Sequence, residues 1–371
     1  MPSTFSFPTP TIFAVGARRE LGGWLAKLGS ERPLVVTDAS LTKTNAFALL
    51  SACLEGMGSA VFSNVRPNPE EADVEGAVHA YLENGCDAVI AFGGGSALDV
   101  GKAIRVRIKC PDKTLAQFEF EADWSGLAPL IAIPTTAGTG SEVGRSSVII
   151  MEHRKRVIFH PALLASLVIL DPEFTRELPP KLTAATGADA LTHCIESFTS
   201  PVFHPLCDGI ALEGIHLIAG ALPRAVRDGG DLEARGLMQI AAAMGGIAFQ
   251  KDLGATHSLA HPLSSLCGLH HGLANALCLP SVMDFNAERK PGVYRRAGIA
   301  LGLSDPADVD TIGAVRALLG QIGLRPGLRA HGVDESKLDA LADQAFEDGC
   351  HATNPVPVTR ADLRSLYERA L

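Results

Sequence analysis

Residues Asp87–Lys102 read DAVIAFGGGSALDVGK, and this stretch decides the architecture of the first half of the chain. Ala88–Phe92 is an unbroken apolar run of strand length, as expected of a strand buried on both faces. Three glycines, Gly93 to Gly95, follow at once, and the residues after them take up helical spacing. A strand that passes through glycines straight into a helix lets the backbone approach a ligand closely. The free N–H groups at the helix start then favour a pyrophosphate. The spacing is neither that of a Walker loop nor that of the G-x-G-x-x-G dinucleotide fingerprint. On either side of this stretch, Pro33–Thr37 (PLVVT), Ala60–Asn64 (AVFSN), Leu130–Thr135 (LIAIPT) and Leu167–Asp171 (LVILD) repeat the strand character. Segments long enough for helices separate them, which predicts a mostly parallel sheet covered on both faces. Ser146–Phe159 (SSVIIMEHRKRVIF) is predicted to be a hairpin.

After Leu178 the composition changes to long Ala-, Leu- and Gly-rich segments of helical periodicity with no convincing strand. The predicted organisation is an α/β dinucleotide-binding domain over 1–180 and an all-α metal- and substrate-binding domain over 181–371. A length of 371 residues suits two domains. With 47% hydrophobic and 20% charged residues, the chain is compact rather than disordered. A formal net charge of -9 disfavours nucleic acid and anionic membrane as partners. Eight cysteines without a CxxC pair read as buried thiols in a reduced, cytoplasmic protein. The segment MPSTFSFPTPTIFAVG has no signal-peptide pattern, and no stretch is expected to reach the apolar length that a membrane span needs.

Asp38 closes the first apolar run, in LVVTDAS, where sheets of this kind expose ligand-contacting residues. A carboxylate there accepts both ribose hydroxyls of an adenosine and repels a 2'-phosphate, so NAD is expected over NADP. A plain helix cap is the competing reading for Asp38. A second loop, Pro134–Glu142 (PTTAGTGSE), also follows a strand and carries hydroxyls suited to phosphate, to ribose or to capping.

Two segments of the second half carry the chemistry: Gly187–Ser197 (GADALTHCIES) and Gly254–Gly272 (GATHSLAHPLSSLCGLHHG). On a helix Asp189 and His193, four apart, share one face, and His257 and His261 repeat the spacing. A further imidazole stands at His270 or His271. One carboxylate and three imidazoles suit a divalent first-row metal, Fe(II) or Zn(II), with a position left open for a substrate oxygen.

With these motifs the chain resembles the iron-containing alcohol dehydrogenase family over nearly its whole length. The family's GGGS-x2-D-x2-K loop corresponds to Gly93–Lys102, its PTTAGTGSE loop to Pro134–Glu142, and its TAATG-x-DALTH-x-IE segment to Thr183–Glu196. Asn68 lies in an RPNPE turn, Lys155 stands six residues before Pro161, and Asn354-Pro355 precedes the last helical segment, as in the family. The resemblance implies a dehydroquinate synthase-like architecture with Asp189, His193, His257 and His271 as metal ligands. His271 is preferred over His270 because it immediately precedes Gly272, as the family's ligand precedes a glycine. It implies that Gly94, Gly95, Ser96, Asp99, Thr135, Thr136, Asn68 and Lys155 line the NAD site, and that His261 stands near the reacting carbon. His261 is then suited to relay a proton between the substrate oxygen and solvent. Hydride transfer between a small primary alcohol and the nicotinamide, assisted by a Lewis-acid metal, is the implied reaction, and a homodimer is the expected assembly.

Three features depart from the family pattern. Gly144 replaces a threonine, the approach to His257 is FQKDLG over 249–254, and Arg145 and Lys251 are unusual cations near the expected site. Two cations can recognise an acidic substrate end, which points to an ω-hydroxy acid such as 4-hydroxybutyrate. The alternatives are a maleylacetate reductase-like enzyme, which lacks the full metal set, and a non-redox lyase of the dehydroquinate synthase type.

Overall fold

A computed structural model describes residues 9–117, 123–152 and 154–371. The described residues divide into two compact units, one holding those from 9 to 136 with Gly140–Leu178, the other Ala137–Thr139 with Pro179–Leu371. Three residues of the second loop thus cluster with the helical unit, a detail that a single cut near residue 180 does not express.

The first unit is built on a six-stranded sheet. Its strands are β1 (Thr11–Phe13), β2 (Pro33–Val36), β3 (Ala60–Phe62), β4 (Ala88–Gly93), β5 (Leu130–Pro134) and, after the hairpin of β6 (Ser146–Met151) and β7 (Arg154–Phe159), β8 (Leu167–Leu170). The order across the sheet is β1-β8-β5-β4-β2-β3, and every neighbouring pair is parallel. The four inner strands are buried at every position, which is why they read as continuous apolar runs. Strand β1, only three residues long and partly exposed at the edge, carries no such signature and was not foreseen. Helices α1 (Leu21–Lys27), α2 (Asn45–Cys53), α3 (Glu71–Glu83) and α4 (Gly95–Lys109) supply crossovers. Side chains of α1 and α2 pack with Val35, Ile90, Ile131 and Ile169 into one apolar cluster.

The chain runs from β2 outward to β3 and then returns to the other side of β2 as β4, so the strand order reverses between β2 and β4. Crevices that bind ligands form beyond the carboxyl ends of strands at such a reversal. Asp38, beyond β2, and Gly94–Gly95, beyond β4, follow those ends.

The second unit is helical: α5 (Pro180–Thr199), α6 (Pro205–Arg227), α7 (Leu232–Ala248), α8 (Ala255–Cys267), α9 (His271–Arg289), α10 (Arg295–Ala300), α11 (Asp308–Gln321), α12 (Leu338–Glu347) and α13 (Arg360–Ala370). Helix α5 is buried on nearly all sides, so small residues dominate it. Contrary to the expectation from the sequence, helix α6 is long and apolar enough to cross a membrane by length and composition, even with Asp208, Glu213 and Arg224 within it. Here it is a core helix, with Cys207, Ala211, Ile215, Ile218, Leu222 and Ala225 packed inside the helical cluster.

Candidate functional site

Three helices of the second unit converge on one buried point. Helix α5 presents Asp189 and His193 one turn apart, α8 presents His257 and His261 in the same way, and α9 begins with His271. The backbones must approach closely for this to happen. A Cβ on Gly272 would lie 2.2 Å from the carbonyl oxygen of Ala185, so only glycine lets the start of α9 rest against α5 and set His271 beside Asp189.

Asp189 Oδ1 lies 3.6 Å from His271 Nε2 and 4.0 Å from His257 Nε2. The ligand atoms of Asp189, His257 and His271 all fall within 4.8 Å of one another, and His193 Nε2 is 3.1 Å from His257 Nε2. For metal–nitrogen bonds of about 2.1 Å, such a separation subtends about 95°, an ordinary angle between two ligands of one ion. His270 instead caps the start of α9 and is exposed.

Protonation states fit a cation. Burial drives His271 well below its ordinary value and His193 down to about 4 despite the opposing charge of Asp189, which leaves neutral imidazoles with lone pairs. Burial alone would raise Asp189, but the three imidazoles and the Asn275 amide bring it below the usual range. The buried Asn275 amide donates to Asp189 Oδ1 at 2.7 Å and lies 3.2 Å from both His257 Nε2 and His271 Nε2. One NH2 group cannot satisfy three acceptors, while its own Oδ1 is buried without a partner among the described residues. A cluster this rich in acceptor atoms and short of donors is what a divalent cation completes.

Further carboxylates orient the imidazoles. Glu196, on α5, accepts from His257 Nδ1 at 2.6 Å, Thr256 N at 2.7 Å and Gly254 N at 3.1 Å. Its charge holds the His257 proton on Nδ1 and leaves Nε2 free for an ion, as metal-ligating histidines require. Burial tends to lower His257, but Glu196 and Asp189 raise it above its ordinary value. Asp348 accepts from His261 Nδ1 at 2.7 Å, and the His261 and His271 rings stack at 5.2 Å. Sequence reasoning assigned no role to Glu196, Asn275 or Asp348. Asn275 follows His271 by four residues and Glu196 follows His193 by three, so helical arithmetic reaches both. Asp348 is 87 residues from His261 and has no local signal.

In the first unit, Gly94 caps α4, and the first N–H groups of that helix are unpaired by it, because the first helical bond runs from Leu98 N to Gly94 O. Gly93 takes φ 154°, and a Cβ there would lie 2.7 Å from Ala97 Cβ. Thr135 N bonds to Gly93 O, which ties the two loops together, and the Thr136 side chain faces Gly94. Asn68 and Lys155 are exposed. Asp38 takes its capping reading through Oδ1, which accepts from Ser40 N and Leu41 N at 2.9 and 3.1 Å, while Oδ2 has no partner among the described residues.

Two of the expected nucleotide residues also use their side chains within the protein. Asp99 is committed to scaffolding, accepting from Ser141 Oγ at 2.7 Å and Val148 N at 3.2 Å, with Lys102 Nζ at 3.7 Å. The Ser96 hydroxyl donates to Pro67 O at 2.6 Å, which pins the RPNPE turn, so the backbone N–H of Ser96 is what remains for a phosphate. Lys251 is corrected as a substrate contact. Its ammonium is buried and ion-paired with Asp208, because a charge with 2% exposure needs a counter-ion. Arg145 stacks over Phe159 at 5.2 Å, and no carboxylate pairs with it among the described residues.

Comparison with known proteins places this geometry in context. Residues 8–172 match the family model "Iron-containing alcohol dehydrogenase", and 183–371 match "Fe-containing alcohol dehydrogenase family, C-terminal". A 4-hydroxybutyrate dehydrogenase of Cupriavidus necator is 41% identical over 93% of this chain and 94% of its own. An alcohol dehydrogenase from Oenococcus oeni superposes with a TM-score of 0.94 at 30% identity, covering 100% of each chain. A sulfoacetaldehyde reductase from Bifidobacterium kashiwanohense, solved with NAD+, superposes with a TM-score of 0.91 at 30% identity, covering 100% of this chain and 99% of that one.

Proposed function

This chain belongs to the iron-containing alcohol dehydrogenase family and carries out NAD-linked alcohol oxidoreduction; from that premise we propose that Asp189, His193, His257 and His271 hold divalent iron and that the favoured substrate is a short primary alcohol with an anionic far end. The observation that carries the metal assignment is the buried convergence of one carboxylate and three imidazoles around an over-committed Asn275 amide. When bound, the ion would supply Lewis-acid polarisation of the hydroxyl or carbonyl oxygen, and the nicotinamide would supply the hydride-accepting carbon. The residues themselves do the rest. Asn275 steadies Asp189, and Glu196 fixes the tautomer of His257. Asp348 holds the proton of His261 on Nδ1, so the other ring nitrogen is an acceptor for the hydroxyl proton and passes it to solvent.

The N–H groups at the start of α4 cradle the pyrophosphate, and the free oxygen of Asp38 takes a ribose hydroxyl, which selects NAD over NADP. Gly94, Gly95, Thr135, Thr136, Asn68 and Lys155 complete that site. We place the enzyme in the cytoplasm, where its eight cysteines stay free thiols, as a homodimer carried over from the resemblance.

The anionic substrate rests on the 41% identity to a 4-hydroxybutyrate dehydrogenase and on Arg145, a cation without a carboxylate partner among the described residues. Losing one charge-assisted hydrogen bond costs about 1.5–3 kcal/mol, roughly ten- to a hundredfold. Arg145→Met is therefore expected to lower kcat/KM for succinic semialdehyde by that factor and to leave butanal nearly unaffected. Equal losses on both aldehydes, or a wild-type preference for butanal, would make this a general small-alcohol dehydrogenase.

A further inference from the structure

Beside the four proposed iron ligands lies a second convergence of donors. The ligand atoms of His261, Asp348 and Cys350 all lie within 4.8 Å of one another. His261 Nδ1 is 2.7 Å from Asp348 Oδ2, and the Cys350 thiol also bonds to the Asp348 carboxylate. The other oxygen of Asp348 is held by Cys350 N at 2.9 Å and Ser258 Oγ at 3.0 Å, which fixes the carboxylate in place. The His261 and Asp348 side chains retain 34% and 21% exposure, so an ion has access from solvent.

We propose that His261, Asp348 and Cys350 form a second, inhibitory site for a thiophilic divalent cation such as zinc or cadmium. An imidazole, a carboxylate and a thiolate are the donors zinc takes, at about 2.0–2.3 Å, so that two ligands stand about 3.5 Å apart. The thiolate and the carboxylate together carry two negative charges, which balance the ion.

Protons balance as follows. The S–H bond of Cys350 breaks, its proton goes to water and a sulfur–metal bond forms. The Nδ1 proton of His261 is lost to solvent and one is regained at Nε2, so the ring stays neutral. That tautomer change carries the functional consequence, because a protonated Nε2 cannot accept the hydroxyl proton. Binding at this site would therefore stop turnover without displacing iron. The inhibition rests on the relay role proposed for His261, whereas the binding does not.

The four proposed iron ligands include no sulfur, but Cys53, Cys110 and Cys267 are also partly exposed free thiols, so the part of a thiolate-to-cadmium absorption band that Cys350→Ala removes reports this second site. Iron-loaded enzyme is titrated anaerobically with cadmium(II), following the ultraviolet band, retained iron and NAD-dependent turnover. The expected result is a Cys350-dependent band that saturates at one cadmium per chain with iron retained, and turnover that falls in proportion. Cys350→Ala is expected to lack the band, and so is Asp348→Asn, which preserves size. No band in the wild type, an equal band in Cys350→Ala, or iron released one for one with cadmium would overturn the site. A saturated band with undiminished turnover would overturn the inhibition, leaving only a binding site, and would remove His261 from the proton path.

Discussion

Replacing Glu196 by glutamine tests whether its carboxylate governs metal affinity from outside the ligand set. As an anion Glu196 offers acceptors only, and three N–H groups use them: His257 Nδ1, Thr256 N and Gly254 N. Glutamine is nearly the same size but exchanges one oxygen for an NH2. Whichever way the amide turns, at least one buried N–H then faces another donor, at a cost of about 1–3 kcal/mol. The easiest relief is for His257 to carry its proton on Nε2, which cancels the lone pair aimed at the ion. Loss of such an orienting partner typically weakens metal binding about 10–100-fold, or roughly 1.4–2.8 kcal/mol. Iron(II) affinity is measured anaerobically against a competing chelator, with NADH titration reporting that the first unit is intact. Glu196→Gln should weaken iron binding by that factor and leave NADH binding unchanged. An unaltered iron Kd in a folded variant would show that Glu196 merely fills space between α5 and α8.

Three further outcomes follow from the same contacts. Lys251→Met strands Asp208, whose side chain is 27% exposed, so unfolding in urea should show a loss of about 2 kcal/mol after allowance for solvent; the ratio of activities on anionic and neutral aldehydes should not move, and a selective loss on the anionic one would return Lys251 to the substrate site. Asp38→Gly should raise the NADP-to-NAD ratio of kcat/KM and cost only about 0.3 kcal/mol from the lost cap, because glycine is itself a tolerated capping residue, whereas an unchanged ratio would reduce Asp38 to capping alone. Burial pushes the Glu142 carboxyl up to about 7 against the opposing charge of Lys102. A folded value above the unfolded one contributes stability that is full below the unfolded value and lost as pH rises through the folded one. The Tm of wild type relative to Glu142→Gln should therefore fall between about pH 4.5 and pH 7, and a pH-independent difference would mean that Glu142 does not titrate there.

Local sequence determined whatever depends on near neighbours in the chain. Unbroken apolar runs such as Ala88–Phe92 specify inner strands because both faces are buried, and Gly93–Gly95 mark the passage into α4 because no other residue takes φ 154° at Gly93 without strain. Helical spacing puts Asp189 with His193 and His257 with His261 on shared faces, so the pairs are legible before any fold is known. Tertiary structure alone decided how the pairs meet. The approach of α9 to α5 at Gly272 brings His271, rather than His270, to Asp189. Asp348 reaches His261 across 87 residues, and Asp208 reaches Lys251 across 43, so neither pairing has a spacing to read. Lys251 shows the difference most plainly: its sequence position suggests a substrate cation, but a buried ammonium is stable only beside a carboxylate, and only the packing of α6 supplies one. The short edge strand β1 escaped notice for a related reason, because three half-exposed residues become a strand only when β8 offers its edge.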